Sequence, residues 1–247
     1  MLKLKCWQKH PQEEIFASFD WWNKDFILHQ ITAERCDYIE SRINKALAPQ
    51  AIQQQQILEI GCGGGLICEQ LAGRGAEMVG LDVSEEALAA ARIHAQKSGI
   101  GHNLYYQHGY AESLPYADGS FSAIVCFDVL EHVHDLNATI KEIARVLAPG
   151  GVFVFDTINR TLIARAVLIW FGEHVPFVFP DIVPGLHNYS DFIKPIELQA
   201  LINLHKLQVH ELTGFMPRGL ADGHLKMGPG WFKGISYVGY ATKDNAQ

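Results

Sequence analysis

A chain of 247 residues, of which 48% are hydrophobic and 19% are charged, is long enough to bury a core of its own. Its formal net charge of -7 argues against broad contact with the phosphate backbone of nucleic acid, which usually requires clustered lysine and arginine. Five cysteines without a close Cys-x-x-Cys pair indicate a reducing compartment, and the first residues lack the apolar core of a secretory signal. We therefore expect a cytoplasmic protein with no nucleic-acid partner.

The hydrophobic patterning predicts a helical region followed by alternating strands and helices. Residues 13–47 are predicted to be helical and form most of an N-terminal cap over residues 1–50. Strands are predicted at residues 57–60, 77–82, 104–107, 123–127, 152–155, 207–212 and 235–241. Helices are predicted at residues 66–74, 85–98, 138–147 and 194–204, and residues 162–183 form an aromatic segment broken by glycine and proline.

This order of elements predicts an α/β fold with a Rossmann-like, mostly parallel central sheet and helices on both faces. We expect a single domain over residues 1–247, with a lid or flap inserted at residues 161–190. In such a sheet, ligands bind at the carboxyl ends of the strands. The segments considered next each follow directly after a predicted strand.

Residues 58–65, Leu-Glu-Ile-Gly-Cys-Gly-Gly-Gly, end an apolar strand with alternate glycines and open a helix. Glycine permits positive φ and lets a ligand approach the main chain closely. A dinucleotide fingerprint would place its third glycine where Leu66 stands, and a phosphate loop would end in Gly-Lys-Ser or Gly-Lys-Thr. The alternate glycines, preceded by Glu59, instead resemble motif I of class I S-adenosylmethionine-dependent methyltransferases. A tight turn without a ligand is the alternative.

The resemblance implies that the turn at Gly61, Cys62 and Gly63 lies against the methionine portion and the sugar of the donor. Asp82 closes the second strand, where a carboxylate can accept hydrogen bonds from both ribose hydroxyls, and Val83 follows it in the same predicted site. Taken alone, Asp82 could instead be the N-cap of the next helix, in competition with Ser84.

Two further places are predicted to contact the adenosine. Tyr110 and Ala111 follow the third strand and resemble the adenine-facing loop of the superfamily, although many members have Asp at the position of Tyr110. Phe127 ends the fourth strand and either packs on the adenosine or belongs to the core.

Asp128, Glu131 and His132 follow the fourth strand at spacings of three and four residues. If the strand passes into a helical turn, the three side chains converge on one face. Two carboxylates and an imidazole suit a divalent metal ion, and His132 could equally act as a general base. The alternative is that these residues line the pocket without a metal.

The second half of the chain narrows the resemblance to the ubiquinone biosynthesis O-methyltransferase family, which methylates polyprenylated catechol-type compounds. The segments that carry it are residues 21–22, 28–29, 61–65, 80–82, 130–133, 157–160, 192–198 and 225–230. The resemblance implies S-adenosylmethionine as the cofactor, with Gly61, Asp82 and Phe127 in the donor site and Arg35 near the methionine carboxylate.

The family's magnesium ligands map onto Asp128, Glu131 and His132, so the resemblance also implies Mg²⁺, although the first ligand is usually Glu. Residues 31–35, Ile-Thr-Ala-Glu-Arg, stand where the family tends to have Ile-Asn-Pro-x-Arg, and residues 233–237 also depart from its pattern. The resemblance therefore predicts an O-methyltransferase acting on a phenolic or isoprenoid substrate, with His132 or Glu131 taking the phenol proton. The rivals are a methyltransferase for another small phenol or acid, a nicotinamide oxidoreductase and a non-catalytic S-adenosylmethionine-binding protein.

The aromatic segment at residues 162–184 has two interpretations. It could be a lid over an isoprenoid tail that rests on the bilayer surface through Trp170, Phe171, Phe177 and Phe179. Packing against a neighbouring subunit would explain the same residues.

Overall fold

The computed structural model describes residues 15–16, 18–53, 55–173, 184–221 and 224–245. The helices are α1 (Ile27–Ala46), α2 (Leu66–Gly73), α3 (Glu85–Ser98), α4 (Leu136–Val146), α5 (Leu162–Ala164), which continues as a π-helix (Arg165–Gly172), and α6 (Pro195–Leu204). The strands are β1 (Gln56–Ile60), β2 (Glu77–Asp82), β3 (Leu104–His108), β4 (Phe121–Cys126), β5 (Leu147–Ile158), β6 (Leu207–Ala221), β7 (His224–Gly230) and β8 (Ser236–Lys243).

In the described part of the chain, the strands form one sheet in the order β3-β2-β1-β4-β5-β8-β6-β7. The first five strands pair in parallel, and β8, β6 and β7 add an antiparallel edge. The order reverses beside β1, so the loops after β1 and β4 leave the sheet next to each other, where ligands bind in this class of fold. The prediction of a Rossmann-like, mostly parallel sheet is confirmed.

The sheet is covered on both faces, which explains why its central strands are almost continuously apolar. Neighbouring residues of β1 show this, because Ile57 packs in a core with α1, α2 and α3, whereas Leu58 packs in a second core with α4 and α6. Both side chains are fully buried. The same alternation places Glu59 on the α1 side, where its carboxyl is also buried.

Helices α3 and α4 each start at a side-chain cap. The Ser84 hydroxyl accepts a hydrogen bond from the Ala87 N–H at 3.2 Å, and the Asp135 carboxylate accepts one from the Ala138 N–H at 2.9 Å. These bonds satisfy amide groups that have no partner within the helix. Ser84, rather than Asp82, is therefore the cap of α3, and the capping alternative for Asp82 is wrong.

Three boundaries differ from those predicted. Of the helix predicted from residue 13, residues 15 and 16 are helical, but the long helix begins only at Ile27, because residues 20–26 form turns in which the Phe26 N–H donates to the Asn23 carbonyl. β5 spans Leu147–Ile158, so it begins before and ends after the strand predicted at residues 152–155. β6 continues to Ala221 and pairs with β7, a strand that was not predicted because its sequence is rich in glycine and proline.

The aromatic segment is described only in part. It begins with one turn of α5 and continues as the π-helix to Gly172, while residues 174–183, including Phe177 and Phe179, lie outside the described residues. Within the described ranges, no helix has the length and apolar composition needed to cross a bilayer.

Candidate active site

One cavity lies at the carboxyl ends of β1, β2 and β4, and it brings together every residue that was predicted to hold the donor. These are Arg35, Glu59, Gly61, Cys62, Gly63, Asp82, Val83, Tyr110, Ala111 and Phe127. Asp128 and His132 also line the cavity. Their separate roles stay predictions, but their convergence from five segments of the chain makes this cavity the candidate ligand site.

The glycine loop after β1 is shaped to receive a ligand against its backbone. Gly61, Gly63 and Gly65 all have positive φ, at 70°, 49° and 84°. A Cβ at Gly61 would overlap the Val129 side chain, and one at Gly63 would lie 2.5 Å from the Trp21 ring. Because these side chains already occupy the space that a Cβ would enter, the loop needs glycine for their close approach as well as for its own conformation.

Asp82 ties the loop to the end of β2. One carboxylate oxygen accepts from the Gly63 N–H at 2.7 Å and the other from the Ser84 N–H at 2.8 Å. Burial raises the pKa of Asp82, while these backbone hydrogen bonds oppose the rise. A carboxylate has about four lone-pair sites, so Asp82 retains the capacity to accept from ribose hydroxyls.

Arg35 lies between two carboxylates at the floor of the cavity. Its Nη1 is 2.6 Å from Oδ2 of Asp128, and its Nη2 is 3.2 Å from Oδ2 of Asp156. The other Asp156 oxygen accepts from the Asp128 N–H at 2.6 Å. Burial lowers the pKa of the Arg35 guanidinium, but Asp128 and Asp156 outweigh it and leave the pKa raised. Its buried Nε has no hydrogen-bond partner within the described structure.

In the turn after β4, the side chains of Asp128, Glu131 and His132 each contact a different partner. Asp128, at a φ of 56°, pairs with Arg35, and Glu131 accepts a hydrogen bond from the Thr157 hydroxyl at 2.8 Å. His132 packs against the ring of Phe16, with the ring centroids 5.3 Å apart. Burial, followed by the Asp128 charge, raises the pKa of Glu131 to about 7. Glu131 is buried beneath the cavity rather than on its wall.

This arrangement does not fit a divalent metal ion. Both Asp128 oxygens are bonded to a cationic guanidinium, which occupies the position a metal would need. Among the described residues, no group of three His, Cys, Asp or Glu side chains is placed to hold a metal. The predicted convergence of Asp128, Glu131 and His132 on one face is therefore not found, because positive φ at Asp128 turns its carboxylate toward α1.

The cavity does fit S-adenosylmethionine. A zwitterionic amino acid joined to a nucleoside needs a glycine cradle, an acceptor for the ribose and donors for a carboxylate. The glycine loop, Asp82 and the unpartnered Nε of Arg35 provide these features.

Sequence reasoning missed the residues that reach the site from outside the sheet. Phe16 and Trp21 line the cavity, although the helical prediction for residues 13–47 gave no reason to place them there. His187 is partly buried beside His132, with ring centroids 5.9 Å apart, and its backbone N–H donates to the Glu173 carboxylate. Two adjacent tryptophans before an amphipathic helix were the available signal for Trp21. No signal in the sequence pointed to His187.

Residues 58–155 match a methyltransferase domain family. A ubiquinone biosynthesis O-methyltransferase from Xanthomonas oryzae pv. oryzae is 36% identical over 200 residues, which cover 79% of this chain and 79% of the relative. The protein of the same description from Xanthomonas campestris pv. campestris is 34% identical over the same share of both chains.

Solved structures share the fold at lower identity. A possible histamine N-methyltransferase from Thermotoga maritima superposes with a TM-score of 0.63 at 21% identity, covering 93% of this chain and 99% of the other. Magnesium protoporphyrin IX methyltransferase from Synechocystis, with bound SAH, gives 0.60 at 18% identity over 89% and 88%. With the glycine cradle at the switch in strand order and Asp82 at the end of the neighbouring strand β2, the sequence relationship shows that this chain is an S-adenosylmethionine-dependent O-methyltransferase and belongs to the ubiquinone biosynthesis O-methyltransferase family.

Proposed function

We propose that this enzyme transfers the methyl group of S-adenosylmethionine to a phenolic oxygen of a catechol-type, polyprenylated quinone precursor. The observation that carries the proposal is the position of His132, which lines the donor cavity beside the buried carboxyl of Glu131. The description of the Xanthomonas relatives as ubiquinone biosynthesis enzymes supports an acceptor of this class.

A neutral phenol is a poor nucleophile toward a sulfonium methyl, so the acceptor must lose its proton before or during transfer. In our mechanism the imidazole of His132 takes that proton. The phenolate oxygen then forms a bond to the methyl carbon as the carbon–sulfur bond breaks, and the neutral thioether S-adenosylhomocysteine leaves. The cavity wall supplied by Phe16, Phe127 and Val129 excludes water and restricts the approach of the acceptor.

The predicted Mg²⁺ has no step in this mechanism. If bound, an ion would act as a Lewis acid and lower the phenol pKa. Asp128, which was predicted as its first ligand, instead bonds through both oxygens to Arg35. We therefore assign Asp128 to positioning Arg35 and leave the proton to His132.

A lipid-soluble acceptor also suggests how the enzyme reaches its substrate. α5 and the π-helix expose four large apolar side chains, Leu162, Ile163, Trp170 and Phe171, with Leu162 75% and Trp170 66% exposed. Exposed apolar residues grouped in this way are typical of interaction sites. The proposal includes contact of this segment with the bilayer surface, where a polyprenyl tail resides.

An acceptor panel tests the proposed reaction. The purified enzyme is supplied with S-adenosylmethionine and a prenylated catechol, an unprenylated catechol or a small carboxylic acid, and S-adenosylhomocysteine and the methylated atom are measured. We expect O-methylation of the catechols, with preference for the prenylated one. Turnover of the acid alone would support the rival acceptor class, which the departures at residues 31–35 and 233–237 leave open.

A further inference from the structure

The segment before α1 folds over the glycine loop. A Cβ added to Gly64 would overlap the base of the Trp21 side chain, and one added to Gly63 would meet the far edge of its ring at 2.5 Å. Two consecutive glycines are therefore covered by one indole. Trp21 is 9% exposed and packs with Phe26, Leu66 and Ala87.

The neighbouring tryptophan fixes this segment in place. The Trp22 indole N–H donates to the Gly64 carbonyl at 3.0 Å, and its ring stacks on His94 with centroids 3.3 Å apart. His94 is in turn held by the buried Glu69 carboxylate at 2.9 Å. Trp22 thus has a complete set of partners that binds the segment to α2 and α3.

Trp21 differs from its neighbour, because its buried indole N–H has no hydrogen-bond partner within the described structure. The same side chain lines the donor cavity. A buried N–H without an acceptor is costly, by about the strength of a lost hydrogen bond. An indole N–H is only a donor, so the missing partner must be an acceptor atom.

A second unpartnered donor lines the same cavity, since Arg35 Nε is also buried without an acceptor. Two donors without an acceptor in one cavity require acceptor atoms on the ligand, and a carboxylate, with about four lone-pair sites, can accept from both. S-adenosylmethionine has a single anionic group, the carboxylate of its methionine portion. Asp82, at the end of β2, is itself an acceptor and suits the ribose hydroxyls instead.

We propose that the indole N–H of Trp21 donates a hydrogen bond to the carboxylate of the bound methyl donor, so that residues 18–26 form a lid over the glycine loop that contacts the donor directly. The inference rests on the enzyme's use of S-adenosylmethionine and does not depend on the identity of the acceptor. It gives Trp21 a binding role in addition to its packing over the glycine loop.

Two ligands separate a carboxylate contact from general loosening of the lid. S-adenosylhomocysteine carries the carboxylate, whereas 5′-methylthioadenosine has the same nucleoside without it. We expect Trp21→Phe to weaken S-adenosylhomocysteine binding by about tenfold or more, as measured by titration calorimetry, and to leave methylthioadenosine binding unchanged. Equal weakening of both ligands, or of neither, would overturn the proposal.

Trp22→Phe is the matched control, because it alters the same lid at an N–H that already has a protein partner. It should change the affinities for the two ligands by the same factor. Trp231→Phe, at a residue 85% exposed, controls for the loss of an indole elsewhere.

If Trp21→Phe does not fold, the wild-type protein still provides a test. The protein is labelled with ¹⁵N-tryptophan, and the indole proton resonance of Trp21 is assigned with variants of the other tryptophans. This resonance should move downfield when S-adenosylhomocysteine is added. It should not do so with methylthioadenosine. An unchanged resonance at saturating S-adenosylhomocysteine would contradict the contact. Failure of the proposed phenol methylation would leave both measurements unaffected, so the two proposals can fail independently.

Discussion

The Arg35 guanidinium bonds both oxygens of the Asp128 carboxylate, with the closest pair, Nη1 and Oδ2, at 2.6 Å. The Arg35 side chain is 8% exposed and that of Asp128 is 37% exposed, so the pair spans from the protein interior to the cavity wall. A carboxylate that is fully engaged by a planar guanidinium has little capacity to bind a metal ion. Arg35, from α1, thus occupies the centre of the predicted metal site.

The first prediction concerns chelation. Because Asp128 is bonded to Arg35, we expect methyl transfer to a catechol to continue after exhaustive removal of divalent ions. The measurement is S-adenosylhomocysteine release with and without EDTA, after passage over chelating resin. Loss of activity that Mg²⁺ restores would contradict the assignment of Asp128 to Arg35. Asp128→Asn is the companion variant, since it weakens the ion pair and should lower donor affinity.

The second prediction concerns Asp156, which supports both members of that pair. Asp156→Ala removes the acceptor for the Asp128 N–H and one acceptor for Arg35. Leaving buried donors unpaired should lower the free energy of unfolding by about 2–4 kcal/mol, measured by urea titration.

Asp156→Asn is the matched control. Its amide oxygen can still accept from the Asp128 N–H, so its loss of stability should be clearly smaller than that of Asp156→Ala. Equal losses in the two variants would indicate that charge, rather than hydrogen bonding to Asp128, is what Asp156 provides.

The sheet and the donor site were predictable because their signals are local. The alternating strand and helix patterns predicted the parallel strands. The glycine turn together with Asp82 predicted the loop proposed to bind the ligand. Contacts between residues that are far apart in the sequence produce no such local signal. The Arg35–Asp156 bond joins residues 121 positions apart, and a positive φ at Asp128 cannot be read from its residue type. The sequence therefore suggested a metal where the folded chain places an arginine.

The position of residues 18–26 over the glycine loop was not predicted, for a related reason. Residues 18–26 contain enough aromatic residues to continue an amphipathic helix. Instead, this segment forms turns, and the rings of Trp21 and Phe26 pack against each other at a centroid distance of 5.7 Å. Tertiary packing outweighs helix propensity here.

The third prediction is a pH dependence of stability that arises from Glu59. Burial raises the pKa of this carboxyl from an ordinary value of 4.5 to about 8. Between these values the unfolded chain binds fewer protons than the folded one, so stability should fall as the pH rises. The slope for one such group is at most about 1.4 kcal/mol per pH unit.

Glu59→Gln keeps a neutral hydrogen-bonding side chain and should flatten the part of this slope that Glu59 causes. The check is a comparison of urea unfolding at about pH 6 and about pH 8 for both proteins. Since the pKa of Glu131 is raised to about 7, the difference should be clearest above that pH. A slope unchanged by Glu59→Gln would show that this carboxyl is ionised in the folded protein.

The fourth prediction tests membrane contact. Replacing exposed Trp170 and Phe171 by Ser should weaken binding to liposomes in flotation assays by about tenfold or more, because burial of each aromatic side chain contributes roughly 1.5–3 kcal/mol. Affinity for S-adenosylhomocysteine should be unchanged. Trp231→Ser removes an even more exposed aromatic outside this segment and should bind liposomes normally. Loss of self-association in the double variant, with intact liposome binding, would favour the subunit-contact interpretation.

The fifth prediction separates the two candidate proton acceptors. His132 lines the cavity, whereas Glu131 is buried beneath it and bonded to Thr157. A base must reach the proton that it removes, so His132 is the better placed of the two. His132→Gln should reduce kcat by about 10²–10⁴-fold, the usual contribution of a general base, with little change in donor affinity.

Glu131→Gln should have the smaller effect on kcat, because its uncharged amide can keep the bond from Thr157 and leave His132 in place. If the Glu131 charge assists proton transfer, wild-type kcat should rise as the pH passes about 7, where this carboxyl ionises, and that limb should disappear in Glu131→Gln. A larger loss of kcat in Glu131→Gln than in His132→Gln would reverse the assignment and make the carboxylate the base. The ratio of the two losses, measured at one pH with saturating donor, therefore decides which side chain takes the proton.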